Sequence, residues 1–69
     1  MNRTPVTSTD ITSIGYDPQT RTLEIEFRTG AVYRYTEVPP EEHAGLMAAE
    51  SKGRYHTIHI RGIYDYRKL

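Results

Sequence analysis

Residues 51–69, SKGRYHTIHIRGIYDYRKL, interleave cations with aromatic rings: Lys52, Arg54, Tyr55, Arg61, Tyr64, Tyr66, Arg67 and Lys68. Proteins that hold single-stranded nucleic acid combine these two residue types, with rings under the bases and cations on the phosphates. The same residues can also form a solvated charged surface with no ligand. Charge is unevenly spread. Residues 1–50 carry four basic and eight acidic residues, a net of −4, whereas residues 51–69 carry five basic residues and one acid, a net of +4. The whole chain has a formal charge of zero, which speaks against strong sequence-independent binding to nucleic acid. The local excess can still attract phosphate. Ser51 is a natural cap for a helix over 52–60, which would set backbone N–H groups beside Lys52 and Arg54 as a phosphate seat.

Other chemistry finds less support. His56 and His59 are three positions apart and would share a helix face, with His43 or Glu50 needed to complete a zinc site; no standard ligand spacing is matched. No metal or cofactor is expected. There is no cysteine nucleophile, no G-x-S-x-G and no phosphate-cradling glycine loop. Glu24 and Glu26 share a strand face but read as solvated, and Ser51 reads as a cap. The expectation is therefore a binding module and not an enzyme.

These residues need elements to position them, and 69 residues supply one small domain. Residues 1–7 read as a disordered polar tail and 8–69 as the domain. The stretch 11–17 reads as a first strand, with a possible irregularity at Gly15. TLEIEF (22–27) alternates, with Leu23, Ile25 and Phe27 on one face and Glu24 and Glu26 on the other. RTG (28–30) is a turn, and 31–38 is the next strand.

The turn decides where Tyr33 and Tyr35 point. A two-residue Thr29-Gly30 loop would set Arg34 opposite Ile25 on the buried face. A three-residue RTG loop, with Gly30 left-handed, pairs Phe27 with Ala31, Ile25 with Tyr33 and Leu23 with Tyr35, and sets Glu24 opposite Arg34. The second register matches apolar with apolar and acid with base, so both tyrosines are read mainly as core.

Pro39, Pro40, Glu41 and Glu42 signal a helix start, giving a helix at 40–50. Residues 52–60 suit a helix through Tyr55, His59 and Gly62, or a strand through His56, Ile58 and Ile60. Residues 64–69 read as extended. The fold class is α+β, a three-stranded antiparallel meander (11–17, 22–28, 31–38) packed against one or two short C-terminal helices. The predicted core is Ile11, Ile14, Tyr16, Leu23, Ile25, Phe27, Tyr33, Tyr35, Val38, Leu46, Ala49, Tyr55 and Ile60.

The succession IGYD, TLEIEFRTGAVYRYTEVP and SKGRYHTIHIRGIY resembles the KTSC domain family. The features that carry the resemblance are Tyr33-Arg34-Tyr35, Val38-Pro39, Ser51-Lys52-Gly53 with Tyr55, and Ile60-Arg61, over about residues 8–69. The family takes its name from the C-terminus of some lysyl-tRNA synthetases and includes small free-standing bacterial and phage proteins. The resemblance favours a helix over 52–60, assigns a structural role to Tyr33, Arg34, Tyr35 and Gly53, and raises RNA as a ligand through the synthetase association.

The leading reading is weak RNA (tRNA) binding through Lys52, Arg54, Tyr55, Arg61, Tyr64, Arg67 and Lys68. The alternative is a protein-interaction module that uses an exposed sheet edge at 31–38. The absence of cysteine, of a secretory signal and of a long apolar run fits a cytoplasmic protein without a membrane partner, a monomer or weak dimer.

Overall fold

A computed structural model describes residues 1–69. The chain runs through Thr4–Pro5 (β1), Ile11–Asp17 (β2), Thr22–Phe27 (β3), Val32–Tyr35 (β4), Pro40–Ala48 (α1), Lys52–Tyr55 (α2), a π-helical turn His56–Ile60, and Tyr66–Lys68 (β5). The fold is α+β as expected, but the sheet has five antiparallel strands in the order β1-β2-β3-β4-β5, not three. The two added strands are its edges. They span two and three residues, too few to show an alternation. β1 lies in the segment read as a disordered tail, and β5 in the stretch read as extended.

The central hairpin adopts the three-residue register. Leu23 pairs with Tyr35, Glu24 with Arg34 and Ile25 with Tyr33, and Phe27 N donates to Ala31 O at 2.8 Å. Gly30 closes the loop with φ +93°, a conformation that a Cβ resists. β4 ends earlier than expected because Glu37 turns left-handed at φ +58° and Val38 N leaves the ladder to donate to Arg21 O. The irregularity in β2 falls between Ile11 and Ser13, not at Gly15. Gly15 is needed for a different reason. The Arg3 side chain and the Asn2 carbonyl lie 2.9 Å from the position a Cβ would occupy.

Pro40 occupies the first turn of α1, with Glu41 and Glu42 beside it favouring its positive end. Ser51 caps α2, its Oγ accepting from Arg54 N at 3.2 Å. Helix wins over strand at 52–60, and its second half widens: Arg61 N donates to His56 O at 2.8 Å, five positions back. Thr57 Oγ1 donates to Gly53 O at 3.1 Å, so one β-branched residue meets its polar need within the turn. The two helices meet where Gly45 faces the Tyr55 ring.

The fully buried hydrophobic cluster is Ile11, Ile14, Leu23, Ile25, Tyr35, Val38, Leu46 and Ile60, with Tyr16, Phe27, Tyr33 and Tyr55 packed against it. Ala49 is outside it, and Val6, Met47 and Tyr64 join its periphery.

Candidate nucleic-acid interface

β5 returns alongside β4 and brings Tyr66 opposite Tyr35. The ring of Tyr66 stacks on Tyr33, with centroids 5.3 Å apart and planes 19° from parallel. Tyr66 is 60% exposed, Tyr33 is half-buried and Tyr35 is buried. The three rings form one wall of a cleft of about 450 Å³. Phe27 and His56 continue the lining, and Asp10, Arg28, Arg61 and Gly62 border it.

In this wall Tyr35 and His56 bond to each other, hydroxyl to Nε2, at 2.6 Å. Burial, then the neighbouring Tyr33 and Tyr66, pushes the Tyr35 hydroxyl up to about 12. Burial, and then the Arg61 charge, lowers His56, so its ring is neutral at pH 7. We assign Tyr35 as donor and His56 Nε2 as acceptor, because the opposite assignment leaves a buried phenolic proton without a partner. Phe27 meets the His56 ring edge-on at 5.0 Å and the Tyr33 ring edge-on at 5.5 Å. The cleft is therefore walled by mutually packed aromatic rings, with the exposed Tyr66 ring at its edge.

The residues singled out in the sequence scatter around the fold. Arg61 borders the cleft, and so does the neighbouring Gly62. Lys68 stands opposite Tyr33 in the ladder, and Arg67 opposite Arg34, so they lie on opposite faces of the sheet. Lys52 donates its amine to Ala49 O at 3.1 Å, and Arg54 is exposed. The first turn of α2 already carries an anion. A Cβ added at Gly53 would collide with the Asp10 carboxylate, at the place expected for a phosphate. Tyr55 and Tyr64 sit near α1, where burial and then the charge of Glu42 raise both hydroxyls. That carboxylate makes their surroundings unfavourable for a phosphate.

His56 and His59 diverge. His56 enters the cleft wall, whereas His59 is exposed and lies tilted against the Tyr55 ring, with centroids 4.3 Å apart. No three His, Asp or Glu side chains gather as a metal site. His43 stacks on Tyr16 at 4.5 Å.

Tyr33 and Tyr35, read as mainly core, divide the roles. Tyr35 is buried in the core and backs the cleft wall, whereas Tyr33 packs on the core from its edge and forms the wall with a half-buried ring. Phe27, Arg28, Asp10 and His56 were not among the expected binding residues. The alternation of β3 pointed Phe27 to this face, but nothing in the sequence shows that the four meet.

On the opposite face Glu24 is 3% exposed, not solvated. Arg34 Nε and Nη2 donate to its Oε2 at 2.9 and 2.7 Å, and Arg3 Nη1 donates to its Oε1 at 2.9 Å. Burial alone would raise this carboxyl, but the hydrogen bonds and charges of Arg34 and Arg3 outweigh it and hold it below the usual carboxylate range. β4, expected as a free edge, is flanked by β3 and β5. On that side the open edge is β5, which is three residues long and carries Arg67 and Lys68. Shortness and charge both blunt such an edge against strand addition.

The molecule is thus a small α+β domain with an aromatic cleft at the junction of sheet and helical turn. The KTSC domain family model matches residues 7–64, and the chain belongs to that family. The crystal structure of a KTSC domain protein from Yersinia pestis is 47% identical and matches with a TM-score of 0.96, over 99% of this chain and 96% of that one. An uncharacterized protein of Stutzerimonas stutzeri is 47% identical over 55 residues, 80% of this chain and 78% of its own length. The lysine–tRNA ligase of Nostoc punctiforme is 39% identical over 59 residues, 86% of this chain and 10% of the ligase. No helix is long and apolar enough to cross a membrane.

Proposed function

We propose that this KTSC domain is a non-catalytic module that binds single-stranded segments of RNA, tRNA included, in the aromatic cleft. The observation that carries the reading is the Tyr33–Tyr66 stack, open to solvent on the Tyr66 side and bordered by Arg61. An exposed ring in a fixed orientation adds roughly 1–3 kcal/mol for each base it stacks. A guanidinium beside it supplies the phosphate contact. The similarity to lysine–tRNA ligases supports RNA as the ligand class. With a net charge of zero, the phosphate contribution is small, so binding is weak and falls as salt rises.

The test is an amide NMR titration of the labelled protein with mixed tRNA, at low and then physiological salt. The expected shifts map to Tyr33, Arg61, Gly62 and Tyr66 and shrink with salt. Tyr66→Ala and Arg61→Gln, both at exposed positions, should each weaken binding while keeping the dispersed spectrum of the wild type. An unchanged wild-type spectrum at low salt would overturn the RNA reading and favour a protein partner.

A further inference from the structure

Besides its tyrosines, the cleft has one carboxylate, one imidazole and two guanidinium groups on its lining: Asp10, His56, Arg28 and Arg61. Two are already engaged. Arg28 Nε and Nη2 donate to Ser8 O at 3.0 and 2.8 Å, and His56 is bonded to Tyr35. The Asp10 carboxylate and the Arg61 guanidinium pair neither with each other nor with another protein side chain, since the ion pairs of the molecule are those at Glu24. One acceptor and one donor therefore border an aromatic cleft with their hydrogen-bonding capacity unspent.

The Asp10 backbone is held in place. Ser8 Oγ accepts from the Asp10 and Ile11 amides at 3.2 Å each, and Arg28 N donates to Asp10 O at 2.9 Å. Its carboxylate lies against Gly53, where any side chain would displace it. A carboxylate only accepts hydrogen bonds. Among the four RNA bases, guanine alone presents two adjacent donors, N1–H and the N2 amino group, in the spacing of the two carboxylate oxygens. Adenine and cytosine set a ring-nitrogen acceptor beside their amino group, which repels a carboxylate. Uracil offers one N–H between two carbonyls.

Resting on the RNA reading above, we infer that the cleft selects a single unpaired guanine. The base stacks at Tyr66, Asp10 accepts from N1–H and N2–H, and Arg61 takes the adjoining phosphate. A site with a fixed acceptor rejects bases that cannot satisfy it. A bidentate contact of this kind discriminates by roughly 5- to 150-fold.

The test compares the pentanucleotides UUGUU, UUAUU, UUCUU and UUUUU by fluorescence anisotropy at low salt, with amide shifts to locate the site. UUGUU should bind at least several-fold tighter than the other three. Replacing its guanine by inosine, which lacks only the N2 amino group, should remove part of that preference without touching the protein. Asp10→Asn should abolish the preference, so that UUGUU and UUUUU bind the variant alike.

Equal binding of all four by the wild type would overturn the guanine inference while the RNA reading stands. A preference for guanine that survives Asp10→Asn would overturn the role of Asp10. Failure of every pentanucleotide and of tRNA would remove both readings together.

Discussion

The Tyr35 hydroxyl and His56 Nε2 lie 2.6 Å apart although 21 positions separate them in the chain. The bond joins β4 to the π-helical turn across the buried wall of the cleft. Because Tyr35 stays protonated and His56 stays neutral, the pair carries no charge at neutral pH. It is a rigid joint between the sheet and the segment that carries Arg61.

This joint makes stability depend on pH. The folded value of His56 is lowered by burial and by Arg61, while the unfolded value is about 6.5. As pH falls below about 6.5 the unfolded chain takes up the proton first, so the contribution is complete above that pH and declines below it. The melting temperature should drop from pH 7 to pH 5, and the His56→Gln variant should show a shallower drop. Parallel pH curves for the two proteins would remove His56 as the source. Tyr35→Phe should cost about 1–2 kcal/mol in urea unfolding at pH 7, by leaving the buried ring nitrogen unpaired.

Glu24 is the buried centre of an Arg3–Glu24–Arg34 clasp that ties the start of the chain to the middle of the sheet. Its folded value is depressed, so its stabilisation is present above about pH 4.3 and is lost as pH falls further. Glu24→Gln should cost about 1–3 kcal/mol at pH 7 and much less at pH 3. Arg3→Ala should cost less, about 0.5 kcal/mol, because Arg3 is partly exposed and Arg34 remains. Urea unfolding of the three proteins at both pH values checks the order.

Gly45 lies inside α1, where replacing glycine by alanine ordinarily gains about 1 kcal/mol of helix stability. Here the added methyl would strike the Tyr55 ring, whose Cζ is 2.9 Å from the Cβ position. Gly45→Ala should therefore destabilise, by about 1–2 kcal/mol, with the sign set by overpacking. A raised melting temperature would show that Tyr55 moves aside freely.

Gly30 has no atom within 4 Å of its Cβ position, so any effect of a substitution there is purely a backbone effect. Gly30→Ala should cost about 1–2 kcal/mol at the positive φ, and Gly30→Asn less, since asparagine tolerates such turns. Equal losses for the two variants would point away from the backbone and toward the loop's hydrogen bonds.

Much of the fold was legible because its signals are local. Glu-Ile-Glu alternation set the faces of β3, and the three-residue turn set the register, since a slip by one would have put Arg34 against Ile25. Pro40 with two glutamates marked α1, and Ser51 marked α2. Two strands were not legible, because β1 and β5 are too short to carry a pattern and exist only where β2 and β4 offer them unpaired backbone.

The site was the less legible part, for the same reason. Residues 51–69 determined, as sequence, that cations and rings alternate. The tertiary structure alone decided which of them meet. The helix, its widened turn and the returning strand aim Lys52, Tyr55, Arg61, Tyr64, Arg67 and Lys68 in different directions. Of these, Arg61 alone borders the cleft, which otherwise draws on Asp10, Phe27, Tyr33, His56 and Tyr66, from separate stretches of chain. Periodicity reports which face a residue takes within its own element. Which faces come together is decided by the collapse of the whole chain around Ile11, Leu23, Ile25, Leu46 and Ile60, a property spread over residues far apart in sequence.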